Sequence, residues 1–306
     1  MAKILITGGT GLIGTALTKE LVKREHEVII LTRQAKGRTS SAGISYAEWN
    51  VDKLLIDKQA IESADIIIHL AGANVAGKRW TNERKQEIVE SRTRSGELIV
   101  KALNEIPNKV KLVVSSSAIG YYGPDPEVPN PKPFVESDPP HNDFLASTCY
   151  QWEQAILPVK NLGIRTVVFR TGIVLSREGG AYTEFVNPVK FGLAPVLGNG
   201  RQVVSWIHIE DIVRLYMEAI ANEDFNGIYN AVSPHPVTNK ALMLAIARSK
   251  KSFFIPAPVP AFALKIALGE MSIEVLKSAT VSSKKVEETG FSFQFPTIEL
   301  AVENLK

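Results

Sequence analysis

Thr7-Gly8-Gly9-Thr10-Gly11-Leu12-Ile13-Gly14 is the stretch that decides how this 306-residue chain folds. Glycines 9, 11 and 14 satisfy a GxGxxG spacing, and glycines 8, 11 and 14 a GxxGxxG spacing. Just before the motif, Lys3 to Thr7 reads as a short apolar strand, and Leu12 to Arg24 after it carries a helical pattern. A strand running into a glycine turn and then a helix is what a dinucleotide needs. The glycines give the tight turn and let backbone approach a diphosphate, while the helix N-terminus faces its charge.

Outward from the motif the same alternation repeats. Strands are expected at Glu27–Thr32, Asp65–Leu70, Lys111–Ser115 and Arg165–Arg170, with helices at Glu83–Asn104 and Phe144–Leu157. The strands are apolar nearly throughout, as strands buried on both faces must be. This predicts an α/β fold, a Rossmann-type doubly wound parallel sheet with a smaller C-terminal substrate lobe. Residues 1–178 are assigned to the dinucleotide-binding domain, with 205–233 returning to it, and 179–306 mainly to the lobe. Val203 to His208 reads as one strand, followed by a helix from Asp211 to Asn222. Seven prolines between Gly123 and Pro140 forbid regular structure there and predict a long loop at the ligand edge of the sheet. A lid and a plain surface excursion both fit it.

Composition excludes several classes. Hydrophobic residues make up 45% and charged residues 22%, enough apolar content for a large core. The net charge of +3 comes without a dense basic block, which argues against nucleic acid or a membrane as partner. A single cysteine, Cys149, allows neither an intramolecular disulfide nor a thiolate metal site, and no metal-ligand spacing is present. The expectation is a cytoplasmic monomer or homodimer acting on a small molecule, without a metal.

Cofactor choice rests on the end of the second strand, Thr32-Arg33-Gln34. An NAD site commonly places a carboxylate there to bind ribose hydroxyls. Here Arg33, with Lys36 and Arg38 behind it, offers cations to a 2′-phosphate, so NADP(H) is favoured over NAD(H). Solvated loop charges are the alternative. Trp49, Asn50 and Asp52 follow a further strand-like run and could edge the adenine or simply pack.

With Ile68-His69-Leu70-Ala71-Gly72, Ser115-Ser116-Ser117 and Tyr121-Tyr122-Gly123, the chain resembles the extended short-chain dehydrogenase/reductase superfamily. Arg79-Trp80, Trp152-Glu153, Arg170-Thr171-Gly172-Ile173-Val174-Leu175, Ser205-Trp206-Ile207-His208, Gly269-Glu270-Met271 and Gly290-Phe291-Ser292-Phe293 narrow the likeness. They resemble an atypical subfamily described as nucleoside-diphosphate-sugar epimerases, NAD-dependent epimerase/dehydratase-like with a C-terminal DUF1731-type segment. The resemblance spans nearly the whole chain. It implies a cofactor site of Gly8, Thr10, Gly11, Leu12, Ile13, Gly14, Thr32, Arg33, Asn50, Leu70, Ala71, Gly72, Ser115 and Arg170.

The resemblance also implies a Tyr that moves a proton, a Lys four residues later, and a Ser or Thr that binds the reacting oxygen. Ser117 suits the last role, as a catalytic hydroxyl or else as a strand-end cap. The Tyr-Lys pair is missing. Tyr150 is followed four residues on by Gln154, and alignment through Trp152-Glu153 puts Leu145 and Cys149 in the two slots. A neutral amide cannot lower a tyrosine pKa as an ammonium does. The candidate catalytic set is therefore Ser117, Tyr121, Tyr150 and Glu153, with Tyr150 and Cys149 also readable as packing residues. Glu153 could be a general acid or the partner of a cation.

An Arg that clamps a diphosphate in many sugar-nucleotide members is replaced by Val204, with Arg201 three residues earlier as a substitute. Arg92 falls near the nicotinamide region of the superfamily and is otherwise a solvated arginine. His208 reads as a core histidine, and Trp80 and Trp206 as pocket-lining or core residues. The expected function is an NADP(H)-binding epimerase/dehydratase-like oxidoreductase of a small hydroxyl or carbonyl compound. A non-catalytic NADP(H)-binding redox sensor and a true nucleoside-diphosphate-sugar epimerase are the alternatives.

Overall fold

The structure, a computed structural model, describes residues 1–250 and 253–306. Eight strands form one sheet: β1 (Lys3–Thr7), β2 (Glu27–Thr32), β3 (Ile44–Asn50), β4 (Leu55–Ile56), β5 (Ile66–His69), β6 (Leu112–Ala118), β7 (Arg165–Thr171) and a late strand, Gly227–Ala231. The spatial order runs from that late strand through β7, β6, β5, β1, β2 and β3 to β4. Every pairing is parallel except the one between β3 and β4. The chain winds from β1 to β2 on one side and returns to β5 on the other. The crevice at the C-terminal end of β1 is therefore the switch point where a ligand binds.

Period-two alternation along each buried strand feeds two cores. Ile4 and Ile6 face α1 (Leu12–Lys23) and the helix Ile209–Ala221, whose Leu17, Leu21, Ile212, Leu215 and Tyr216 close that face. Leu5, Ile67, Val113 and Val168 face α2 (Lys58–Ser63), α3 (Asn82–Glu105) and α4 (Phe144–Ile156), which contribute Ile61, Leu98, Ile99 and Ile156.

The smaller C-terminal lobe has its own core. It is built from α5 (Ala181–Val189), the parallel pair Leu193–Leu197 with Ile255–Val259, the helix Asn239–Ser249 and the closing helix Ile298–Asn304.

Val203 to His208 is not one strand. It breaks at Ser205 into Val203–Val204, antiparallel to Val237–Thr238, and Trp206–His208, parallel to Ile173–Leu175. Ser205 is drawn off the ladder because its side chain donates to Ala279 O and accepts from Val281 N–H, and its carbonyl receives Ile173 N–H. The helix after it starts earlier than expected, at Ile209, with the His208 ring accepting from Glu210 N–H as the cap.

The proline-rich stretch is irregular, as expected, but it is tied down rather than a plain surface excursion. Asp125 accepts from Ser278 Oγ, Thr280 Oγ1 and Thr280 N–H, and Phe134 bridges to Val281. The loop is thereby tied to the C-terminal segment. No helix is long and apolar enough to cross a membrane among the described residues.

Candidate active site

The glycine motif forms a cradle between β1 and α1. Gly8 has φ +70°, and a Cβ there would lie 2.7 Å from Leu70 O, so the turn packs directly on the end of β5. A Cβ on Gly14 would run into Gly8 O and come 2.7 Å from Gly9 Cα, so only glycine lets α1 start this close to the turn. No side chain caps α1 and no acidic residue stands in its first turn, which leaves its N–H groups and positive end to an incoming anion. Thr10 and Gly11 are exposed, with Leu12 and Ile13 half-buried beside them. This backbone fits a dinucleotide diphosphate.

A buried network holds the facing loop. Thr7 Oγ1 accepts from Leu70 N–H at 3.1 Å and Ala71 N–H at 3.2 Å, so its own proton goes to His69 Nδ1 at 2.8 Å. That assigns the proton of neutral His69 to Nε2, which faces Ser95 Oγ on α3 at 3.3 Å. Burial lowers the His69 pKa to about 3, and the cationic Arg92 adds to the effect. Burial likewise lowers His208 to about 4.

Both rings stay neutral in the fold and take protons near pH 6.5 once unfolded. Stability is therefore complete above that value and declines as pH falls through it toward the folded values. Between pH 6.5 and 5.0, His69 alone is expected to remove about 2 kcal/mol. Urea unfolding across that range checks it. His69→Asn, which keeps an acceptor for Thr7, should flatten the slope; an unchanged slope would contradict the assignment.

At the end of β2, Arg33, Lys36 and Arg38 are exposed, and none of the three pairs with a carboxylate among the described residues. Arg38 lies over the Tyr46 ring at 5.2 Å, and Thr32 Oγ1 accepts from Gln34 N–H. Asn50 is half-buried at the end of β3, its side-chain oxygen accepting from Lys53 N–H.

Two residues expected at the cofactor lie elsewhere. Ser115 is wholly buried, and its hydroxyl donates to Ser116 O, because its β6 register puts it beside His69 inside the sheet. Arg170 is 2% exposed and held in the interior. Its Nε and Nη2 donate to the two Glu153 oxygens at 2.8 Å each, and its Nη1 to Tyr122 Oη and Glu136 O.

That ion pair also corrects two catalytic expectations. Glu153 accepts from Arg170 on both oxygens and from Ser117 Oγ at 2.8 Å, so it is the partner of a cation and has no free oxygen for general acid work. Ser117, 2% exposed, gives its single proton to Glu153 and has none for a reacting oxygen. Tyr150 projects from the outer side of α4, 44% exposed, over a surface depression with Thr93, Glu97 and Gln154. It is therefore neither a packing residue nor part of this cluster.

Tyr121 is better placed. It follows β6 directly in a short 3-10 turn, with the Arg170 guanidinium 3.4 Å from its ring centroid. Burial pushes its phenol pKa up, while the Arg170 cation opposes the shift. Next to it, a Cβ on Gly120 would lie 3.5 Å from Leu145 Cβ and 3.7 Å from Cys149 Sγ. Beside Gly120 thus stand an apolar chain and, in Cys149, a thiol that burial has pushed up to about 12.

Arg92 is not solvated. It is half-buried, donates from Nη1 to Ile88 O at 2.9 Å and lies over the Trp152 ring at 4.9 Å. Spacing held that signal, since Arg92 lies four residues after Ile88 and seven before Ile99, on the apolar stripe itself.

The Arg79-Trp80 and Gly269-Glu270-Met271 motifs meet across the lobes. Arg79 Nη2 donates to Ile266 O and Lys85 pairs with Glu270, while a Cβ on Gly269 would crowd the Arg79 guanidinium. Trp80 packs edge-on against Phe144, and Trp206 and His208 are core residues of the lobe junction. Arg201 is exposed beside a cavity with Asn199, Gln202 and Lys277.

The family model described as the NAD-dependent epimerase/dehydratase family matches residues 4–231. The chain belongs to that family. A domain of unknown function, DUF1731, matches residues 259–305 of this epimerase-family chain. An epimerase family protein of Staphylococcus saprophyticus, SSP1921, is 36% identical over 311 residues, covering 100% of this chain and 99% of the relative. The epimerase family protein YfhF of Bacillus subtilis is also 36% identical, over 99% of this chain and 97% of its own length.

Human epimerase family protein SDR39U1 (isoform 2), solved with NADPH, superimposes with a TM-score of 0.87 at 29% identity, covering 99% of this chain and 98% of that one. UDP-glucose 4-epimerase of Thermus thermophilus, in complex with NAD, shares the fold at 20% identity, a TM-score of 0.76 and 99% and 98% coverage. The resemblance read from the sequence and the Rossmann-type sheet are both confirmed.

Proposed function

We propose that this epimerase-family chain is an NADP(H)-dependent oxidoreductase acting on a small hydroxyl or carbonyl compound, with Tyr121 as the hydroxyl that meets the reacting oxygen. The observation that carries it is the open cradle at Gly8–Gly14 beside three cations at the end of β2 that form no ion pair among the described residues. Gly8, Gly11 and Gly14 with the first turn of α1 would hold the diphosphate. Arg33, Lys36 and Arg38 would hold a 2′-phosphate. When bound, the nicotinamide supplies hydride chemistry. Tyr121, a phenol, keeps its proton at neutral pH and can donate it in a hydrogen bond to a carbonyl oxygen. Arg170 beneath the ring favours charge growing on the phenol, and Glu153 holds Arg170 in place.

The NADPH complex of the human relative supports the cofactor reading. The test is a parallel titration of NADPH and NADH, followed by nicotinamide fluorescence. NADPH is expected to bind at least tenfold tighter, about 1.4 kcal/mol, and Arg33→Ala to remove most of that margin. Equal binding, or none, would overturn the assignment.

A second reading, a non-catalytic NADP(H)-binding sensor, is favoured by the missing lysine, whether the slots are read as Tyr150 and Gln154 or as Leu145 and Cys149. Absence of NADPH consumption across a panel of carbonyl compounds would support it over the enzyme. For a sugar-nucleotide epimerase, Val204 leaves only Arg201 to meet the diphosphate, and saturable binding of a diphosphate-sugar would be required.

A further inference from the structure

We propose that Arg92 anchors a carboxylate of the substrate at the reacting end of the cleft. This rests on the oxidoreductase reading above and names the charge class of its substrate.

The guanidinium is built into place. Its stem follows the inward stripe of α3, Nη1 is held by Ile88 O at 2.9 Å, and the Trp152 ring lies beneath it at 4.9 Å. On its other side it lies against Gly72, where a Cβ would come 3.1 Å from Cζ and 3.3 Å from Nη2. Gly72 belongs to the exposed loop that follows β5 and faces the glycine cradle.

What Arg92 lacks is an acid. Neighbouring arginines on α3 have one: Arg84 pairs with Glu87, and Arg94 with Glu90 and Asp52. Arg170 has Glu153. Arg92 forms no ion pair among the described residues, and the charged side chain that bears on it is Arg84, of like sign. Near it stands the thiol of Cys149, which burial keeps neutral.

A half-buried cation without a counter-ion is costly unless a ligand brings the anion. The cofactor's own charges are matched elsewhere, by the uncapped start of α1 and by Arg33, Lys36 and Arg38. What remains for Arg92 is an anion on the substrate. A planar fork of N–H donors suits a carboxylate, which it can engage with two parallel hydrogen bonds.

The experiment titrates oxalate into the NADPH-loaded protein at constant ionic strength and follows nicotinamide fluorescence. Saturable oxalate binding is expected. Arg92→Gln should weaken it about tenfold or more while leaving NADPH affinity within about twofold. Arg92→Lys keeps the charge and most of the stem but not the fork, so an intermediate loss is expected; if Arg92→Gln does not fold, this variant decides.

Lack of saturable oxalate binding, or variants that bind oxalate like the unaltered protein, would overturn the proposal. So would an equal loss of NADPH and oxalate affinity, because Arg92 would then be a cofactor ligand. Should NADPH itself fail to bind, the cofactor reading falls separately. Calorimetry with oxalate on the cofactor-free protein then answers for Arg92, where Arg92-dependent binding sustains the anion site and its absence removes it.

Discussion

A Gly14→Ala variant is expected to lose NADPH binding and about 3 kcal/mol of stability. The added methyl would meet the Gly8 carbonyl and approach Gly9 Cα at 2.7 Å, and both are backbone atoms of a turn already packed on Leu70. Neither can rotate away as a side chain would. The only relief is to lift the start of α1 from the turn, which disperses the N–H groups that the diphosphate needs. Gly77→Ala, in the loop after β5, is the control. A Cβ there finds its nearest neighbour at 3.5 Å, an ordinary contact, so stability should stay within about 0.5 kcal/mol. Thermal and urea melts with NADPH titrations check both, and near-normal NADPH affinity in Gly14→Ala would refute the cradle assignment.

The second large effect lies under Tyr121. Glu153→Ala is expected to cost about 4 kcal/mol, because it strands the Arg170 guanidinium in the interior. It also removes the acceptor of Ser117. Pairing the change with Arg170→Met should recover much of the loss, since the buried cation that Glu153→Ala strands is then gone as well. Ser117→Ala deletes one hydrogen bond from this network and should cost about 1 kcal/mol. A double-mutant cycle by urea unfolding measures the coupling. If Glu153→Ala and Arg170→Met prove additive, the pair does not act as one unit.

The sheet was legible because its signals are local. Ile4 to Ile6, the glycine turn and the helix after it stand within a few residues, and both spacing and period identify them. Arg33 could be read for the same reason, as the position follows directly from the end of β2. The interior cluster could not. Ser117, Glu153, Arg170, Tyr122, Asn230 and Glu136 come from five separate stretches, and only tertiary packing decides that Ser117 turns toward Glu153 rather than the cleft. Pairwise register likewise moved Ser115 from the cofactor into the sheet. Arg92 is a different case. Its place on the apolar stripe was visible in the spacing, but nothing local showed that its guanidinium lacks an acid.

The late entry of Gly227–Ala231 into the sheet matters for how the protein is made. That strand flanks β7, and the first core also takes Val286 and Phe291 from near the chain end. A ribosome adding roughly 5–20 residues per second needs on the order of ten seconds to pass from residue 171 to residue 286. For the first half of that interval, until Gly227–Ala231 has been made, β7 is an open edge, and through all of it one face of the sheet lacks part of its cover. The first half of the fold is thus completed only by segments that leave the ribosome after residue 226, and its core closes only with Val286 and Phe291.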